Sequence, residues 1–243
     1  MNFVQAANFS DVNIGSGIPL VPASALVVGD KVTGWFGWDL AGAANLNDVS
    51  DTLGNVYELG TRVDDTTNEQ AYQQFYGTVS VGGSTTVTAN LTVSSTSRRG
   101  QLAEYSDVGD FDVQAAQFEA TPGTGTDGIN STAAATTTAG GLRWGGTEAT
   151  SVESGTLSAG TGFTTRDLLV TSLGGIEDAL TNAVSEEATF TQSAAIRRCC
   201  GMLAFKAVPS NAPTERSRLN DAPMRLGAHS SGFPGDLIGS GWF

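Results

Sequence analysis

The sequence predicts an all-β protein, an antiparallel β-sandwich of jelly-roll-like or immunoglobulin-like kind, and three observations carry that prediction. Residues 87–93 alternate strictly, with Val87, Ala89, Leu91 and Val93 on one side and Thr88, Asn90 and Thr92 on the other. That is the two-residue period of a strand with one buried and one wet face. Thirty-one glycines, many Thr/Ser/Ala stretches and only 15% charged residues suit short strands joined by turns better than helices. The 243 residues, 40% of them hydrophobic, suffice for one sizeable core, and sandwiches of this length are commonly a single domain.

Taken in order, residues 1–24 hold isolated apolar anchors (Phe3, Val4, Phe9, Ile14) punctuated by Pro19 and Pro22, which reads as an extended N-terminal lead-in. The sandwich domain is expected over 25–208, and an extended C-terminal docking arm over 209–243. Within residues 25–40 the aromatics of Trp35-Phe36-Gly37-Trp38 anchor a sheet face, with Trp35 or Trp38 in the core. Gly54-Asn55 marks a hairpin turn in 46–59. Tyr72, Phe75 and Tyr76 lead into a second hairpin turning at Gly82-Gly83-Ser84, and after Arg98-Arg99-Gly100 a further strand passes through Leu102 and Tyr105. One core should gather Val87, Ala89, Leu91 and Val93 with Val32, Phe36, Leu102, Leu203 and Phe205. Beyond Val108 the apolar groups are short and turn formers many, predicting long surface excursions up to Leu142. Short strands are expected at 152–157, 163–165, 168–173, 188–192 and 196–208. Ile176, Leu180 and Val184 recur every four residues and suggest a turn or two of helix, against Gly174-Gly175 and the β context.

The net charge of −13 disfavours a nucleic-acid or anionic-membrane surface, since both would repel the chain. The charge is uneven, −16 over residues 1–196 and +3 over 197–243, so the C-terminal part could dock on an acidic neighbour such as another copy of the body. Neighbouring residues in a strand face apart, so Cys199 and Cys200 are expected as two thiols. No second thiol pair exists and His229 is the only histidine, so neither metal nor cofactor is expected. There is no basic residue before Lys31 and no run of 18 apolar residues, which predicts a protein made in a cytoplasm without a secretory signal or membrane insertion.

Several short patterns invite a functional reading and are outweighed by a plainer one. Residues 123–128 match G-x-G-x-x-G, yet Pro122 precedes them and no helix follows to aim backbone N–H groups at a phosphate. Asp107, Asp110 and Asp112 could offer oxygens to calcium but lack the rest of a binding loop. The neighbouring acids Asp64-Asp65 and Glu186-Glu187 would face apart in a strand, unlike the paired carboxylates of glycoside hydrolysis. His229 with Ser230 and Ser231 has no scaffold to hold a triad. The chain is therefore expected not to be an enzyme. Trp144 and Tyr105 are the residues that would form an aromatic platform for a glycan, with burial in the core as the plainer alternative.

The succession VSDTLGNVYEL, YGTVSVGGSTTVTANLTV, QLAEYSDV, TDGINS, LRWGGT, LSAGTGFTTRD, EEATFT and GMLAFKAVP resembles a family of β-sandwich structural proteins of tailed bacteriophages and prophages, over roughly residues 25–208. The resemblance implies a virion protein made in the host cytoplasm, without catalytic residues. A capsid-surface decoration or head-spike subunit held by its terminal arms is the first expectation. A tail or fibre component, or a module recognising host surface polysaccharide, is the alternative. Other capsid or tail subunits are the partners it implies, with self-association into a homo-oligomer.

The C-terminal 35 residues carry four of the seven prolines and five glycines, so they should run extended, reaching at most about 115 Å. Leu219, Met224, Leu226, Phe233, Leu237, Ile238, Trp242 and Phe243 are spaced along them as apolar plugs that need a partner surface, and Arg225 with Arg216 and Arg218 could pair with an acidic one.

Overall fold

The computed structural model describes residues 1–40, 43–150, 155–169 and 173–209, and among these there is no α-helix. The first eight strands are β1 (Asn2–Asp11), β2 (Gly15–Leu20), β3 (Lys31–Asp39), β4 (Leu46–Asp51), β5 (Tyr57–Asp65), β6 (Gln70–Thr78), β7 (Val87–Ser95) and β8 (Arg98–Ser106). They form a five-stranded sheet in the order β1-β8-β3-β6-β5 and a three-stranded sheet β2-β7-β4, antiparallel throughout. An eight-stranded jelly roll pairs 1-8-3-6 and 2-7-4-5; here the fifth strand has moved across to hydrogen-bond with the sixth.

The rest of the chain repeats this plan. Its strands are β9 (Val108–Glu119), β10 (Gly125–Asn130), β11 (Ala134–Ala135), β12 (Ala139–Ala149), β13 (Leu157–Ala159), β14 (Thr164–Leu168), β15 (Gly174–Asn182), β16 (Ser185–Glu186), β17 (Thr189–Gln192) and β18 (Arg198–Ala207). They make a five-stranded sheet β9-β18-β12-β15-β14 and a three-stranded sheet β10-β17-β13. With the small β11-β16 pair set aside as an insertion, strands counted from β9 read 1-8-3-6-5 and 2-7-4, the same orders as in the first half.

Three apolar clusters show how the halves are stacked. One fills the first sandwich, a smaller one fills the second, and the third draws residues from both five-stranded sheets. That third cluster joins Trp35, Tyr72, Ala103 and Tyr105 to Leu142, Trp144, Cys199, Leu203 and Phe205. The two large sheets therefore pack face to face, and the fold has four layers. The pleat does the sorting: β3 sends Val32, Phe36 and Trp38 into its own sandwich and Trp35 into the interface. Likewise β18 sends Cys200 and Met202 inward and Cys199, Leu203 and Phe205 to the interface. Strands buried on both faces need no polar alternation, which explains why WFGW and CCGMLAF read as continuous apolar runs. The contacts are reciprocal: β5 lies on β9 and β1 on β14, first strand against fifth in both directions, while β3 meets β12. This is the isologous pattern of a two-fold dimer, realised within one chain.

Close approach of the large sheets depends on missing side chains. A Cβ at Gly37 would sit 1.9 Å from a carboxylate oxygen of Glu148, and one at Gly201 would sit 2.5 Å from Nε2 of Gln74. Polar ties reinforce the contact. Tyr72 donates its hydroxyl to the Gly146 carbonyl at 3.0 Å, Arg99 donates to the Ala149 carbonyl at 2.9 Å, and Arg197 pairs with Asp65 at 2.7 Å.

Several sequence expectations are corrected here. Residues 1–24 are not a lead-in outside the domain: β1 pairs with β8 along its length and β2 with β7, because Ala7, Ile18 and Leu20 fill the first core. The stretch 25–208 is two sandwiches, so Leu203 and Phe205 belong to a different cluster from Val87, Ala89 and Leu91. Val93 is 42% exposed, past the end of the buried face. Neither Gly54-Asn55 nor Gly82-Gly83 closes a hairpin; both lie where the chain crosses from one sheet to the other, β4 to β5 and β6 to β7. Asn55 holds those corners together, donating to Asp51 and the Val81 carbonyl and accepting from the Ser80 and Val81 N–H groups. The expected excursion after Val108 is instead the 12-residue β9, and Ile176 lies in β15 rather than in a helix. Trp35 and Trp38 are both buried, and Cys199 and Cys200 are free, buried thiols. The expected strands at 152–157 and 168–173 each fall half outside the described residues, and Leu168 ends β14.

Leu91 is 7% exposed in the first core. Leu91→Ala is expected to cost about 2–5 kcal/mol in urea unfolding, and a loss below about half a kilocalorie would contradict the strand's orientation.

Candidate functional site

The two sandwiches share a topology but not an interior. Among the described residues the first is filled by 18 buried apolar side chains, the second by seven. Charged and polar groups take up the difference in the second: Glu177 and Arg198 are fully buried, Glu186 is 4% exposed, and Gln192 accepts from Arg198 Nε at 3.1 Å. Burying such groups is costly unless each finds partners; the first interior also holds Glu104 and Arg98, tied to Gln5 and Asp11, whereas in the second the buried Glu186 lines an open recess.

At the edge of that interior lies a recess of about 410 Å³, lined by Arg143, Phe163, Asp127, Thr189, Glu186 and Glu187 among others. Arg143 stands on β12, one residue before Trp144, and the pleat sends Trp144 to the interface and Arg143 to the opposite face. Its guanidinium lies 4.4 Å from the centre of the Phe163 ring and 3.0 Å from Glu186, while Nε is buried without a hydrogen-bond partner. Glu186 is saturated: besides Arg143 it accepts from Thr136, from the Asn182 backbone and from the Asn182 side chain.

Asp127 reaches the recess through an irregularity. The pairing of β10 with β17 shifts between Gly125 and Ile129, and Asp127 sits there with φ of 55°, a left-handed conformation uncommon for a residue with a side chain. The Thr161 N–H donates to its carboxylate at 2.8 Å, and that bond foremost holds the Asp127 carboxyl below its usual range despite some burial. Beneath lies Glu177, whose oxygens accept from the Gly160 and Thr189 N–H groups at 3.0 and 3.1 Å. Burial nevertheless pushes it up to about 9. Two carboxyls pushed in opposite directions are an arrangement used for acid and base roles. Here Glu177 is enclosed and its oxygens are engaged by the backbone, so it supports the floor rather than meeting a ligand.

A second recess of about 430 Å³, lined by Gln117, Glu119, Pro122, Gly128 and Asn130, shares Asp127 with the first. Residues 123–128, the glycine pattern of the sequence, thus run into the bulged strand β10 that divides the two. Gly128 is required there, since a Cβ would come 2.7 Å from the Gly123 carbonyl oxygen.

The residues expected to form a glycan platform do not. Trp144 and Tyr105 are both fully buried between the large sheets, with Tyr105 edge-on to Phe3 at 5.8 Å. Continuous burial of the central strands, invisible in a short aromatic-glycine pattern, is the reason. Asp107 accepts from Asn2 and Asp112 from Thr137, and no cluster of acids, histidines or cysteines among the described residues could hold a metal ion. Asp64 pairs with Arg62 and Asp65 with Arg197, on separate partners. The plug residues Leu219, Met224, Leu226, Phe233, Leu237, Ile238, Trp242 and Phe243, with Arg225 and His229, lie outside the described residues. Arg143, Asp127 and Phe163 were not singled out by sequence. The only hint was Asp-Gly inside the glycine-rich stretch, since a strand's register is needed to tell Arg143 from Trp144. No family model, curated protein or solved structure matches this chain.

Proposed function

We propose that this chain is a non-enzymatic structural subunit of a tailed-phage particle, displayed as a capsid-surface decoration or head spike and anchored through residues 210–243. The observation that carries the reading is the duplication. Two sandwiches joined across their large sheets make a block with a continuous core from layer to layer, suited to standing on a shell. The acids of the tempting pairs serve that block: Asp65 and Glu186 are buried in ion pairs. Because β1 and β2 are sheet strands, anchorage falls to the C-terminal segment, whose apolar plugs need a partner surface and whose three arginines can pair with acidic groups on it. Partners in this reading are other particle subunits and further copies of the chain.

The test is to delete residues 210–243 in the producing phage or prophage. The remaining protein is expected to stay folded with an unchanged thermal transition while disappearing from purified particles. Normal incorporation of the truncated form, or its unfolding in isolation, would overturn the anchoring role.

A further inference from the structure

We propose that the recess on the second sandwich is a saccharide-binding site for an uncharged pyranoside, with the adjoining recess across Asp127 holding a second sugar unit. The inference does not depend on the particle role.

The chemistry of the walls selects the ligand. Against one guanidinium the first recess presents the carboxyl groups of Asp127, Glu186 and Glu187, so phosphates, nucleotides and uronic acids meet net repulsion. An apolar ligand would cover the exposed Asp127 carboxylate without replacing its hydration. A bare cation is excluded by the absence, among the described residues, of a set of three ligating side chains close enough to hold one. What remains is a neutral ligand rich in hydroxyl groups and carrying an apolar face. Asp127, exposed and with its carboxyl held low, accepts from a sugar hydroxyl, and the half-buried Phe163 ring, covered on one face by the Arg143 guanidinium, offers an apolar wall to the C–H groups of a pyranose. The volume, about 410 Å³, lies within the range of small-ligand sites, and the second recess doubles it along the same wall.

Two further observations point the same way. The site stands on the sandwich with the smaller apolar cluster, where a buried carboxyl, Glu186, lines an open recess, and such local departures from good packing mark places that serve something other than folding. The side chain shared by both recesses is aimed by a strand irregularity and a left-handed residue, devices that re-aim side chains at binding sites at a cost in stability. Glu177 and Glu186, engaged by backbone and side-chain donors, fix the floor and the Arg143 guanidinium in advance, which lowers the ordering cost of binding.

The experiment uses the full chain and saturation-transfer NMR with methyl α-glucopyranoside, methyl β-galactopyranoside and N-acetylglucosamine, followed by a glycan array for longer chains. Saturation transfer to at least one of these sugars is expected. Asp127→Asn and Phe163→Ala should each weaken binding about tenfold or more with an unchanged thermal transition. Phe111→Ala, which alters a separate groove beside Tyr76 and Phe205, should bind as the parent does. No transfer to any of the three sugars together with an empty array overturns the assignment. So does undiminished binding by Asp127→Asn, and so does an equal loss in Phe111→Ala. A folding defect in Phe163→Ala leaves Asp127→Asn, an isosteric change at an exposed rim, to decide the matter. Release of reducing ends from a bound oligosaccharide would also contradict the proposal, since it gives Glu177 no access to a glycosidic bond.

Discussion

Trp35→Ala is expected to destabilise the protein by about 3–5 kcal/mol and to split its unfolding into two transitions. The ring is fully buried between the large sheets, stacked on Tyr72 at 5.7 Å, with Gly146 and Gly174 of the opposite sheet against its edges. A Cβ at Gly174 would come 2.5 Å from the indole, so the backbone there is too close to relax far into a cavity. Each sandwich keeps its own core when the interface weakens, and those cores are unequal. The second, poorer in apolar filling, should unfold at the lower denaturant concentration. Calorimetry and far-UV circular dichroism in urea would read both effects. One cooperative transition with a loss below about 1 kcal/mol would mean that Trp35 does not carry the coupling between the halves. Leu91→Ala serves as the contrast, lowering stability inside the first sandwich while leaving the coupling intact.

The class of fold was legible in the sequence and its organisation was not. Alternation at Val87, Ala89 and Leu91 identified a half-buried strand correctly because β7 lies in an outer sheet, with one face dry and one wet. The central strands carry no such signal: Trp35-Phe36-Gly37-Trp38 is buried on both sides, so its pattern shows that it is interior without showing that it divides two interiors. Turn chemistry misled in a specific way. Gly54-Asn55 and Gly82-Gly83 do mark reversals, but a reversal at a jelly-roll corner changes sheets, and the residues that distinguish corner from hairpin are distant ones such as the Asn55 partners at Ser80 and Val81. The duplication left little trace in residue identity, because the repeated quantity is strand order. An arginine pair at the start of the last strand of each half, Arg98-Arg99 and Arg197-Arg198, was the visible remnant. At the candidate site the sequence drew attention to Trp144 when the group facing the recess is Arg143, a one-residue difference that only the pairing of β12 with β15 and β18 resolves.

Stability is expected to peak in mildly acidic solution and to fall toward pH 8, with Glu148 as the main cause. Its carboxyl is fully buried at the interface, pressed against Gly37, and neither oxygen has a hydrogen-bond partner. Arg99 lies 3.6 Å away, too far for a hydrogen bond and insufficient to replace lost hydration, so burial pushes the group from 4.5 up to about 8. Below the lower value both folded and unfolded chains hold the proton, and its contribution is complete. As pH rises toward the higher value, the unfolded chain ionises while the folded one does not. The loss is about 1.4 kcal/mol per pH unit and on the order of 5 kcal/mol in all. Glu177 acts in the same direction, pushed up to about 9 by burial. Asp65 sets the acid limit. Burial alone would raise it, but Arg197, Thr150 and two backbone N–H groups outweigh that and hold it below the usual carboxylate range, so its contribution disappears as pH falls. Glu148→Gln keeps the shape and removes the ionisation. In urea titrations from pH 5 to 9 the variant should match the parent near pH 5 and exceed it by several kcal/mol at pH 8. A misfit of the amide would lower stability equally at every pH and leave the difference in slope intact. Parallel pH profiles for the two proteins would therefore show that Glu148 is not buried in its protonated form.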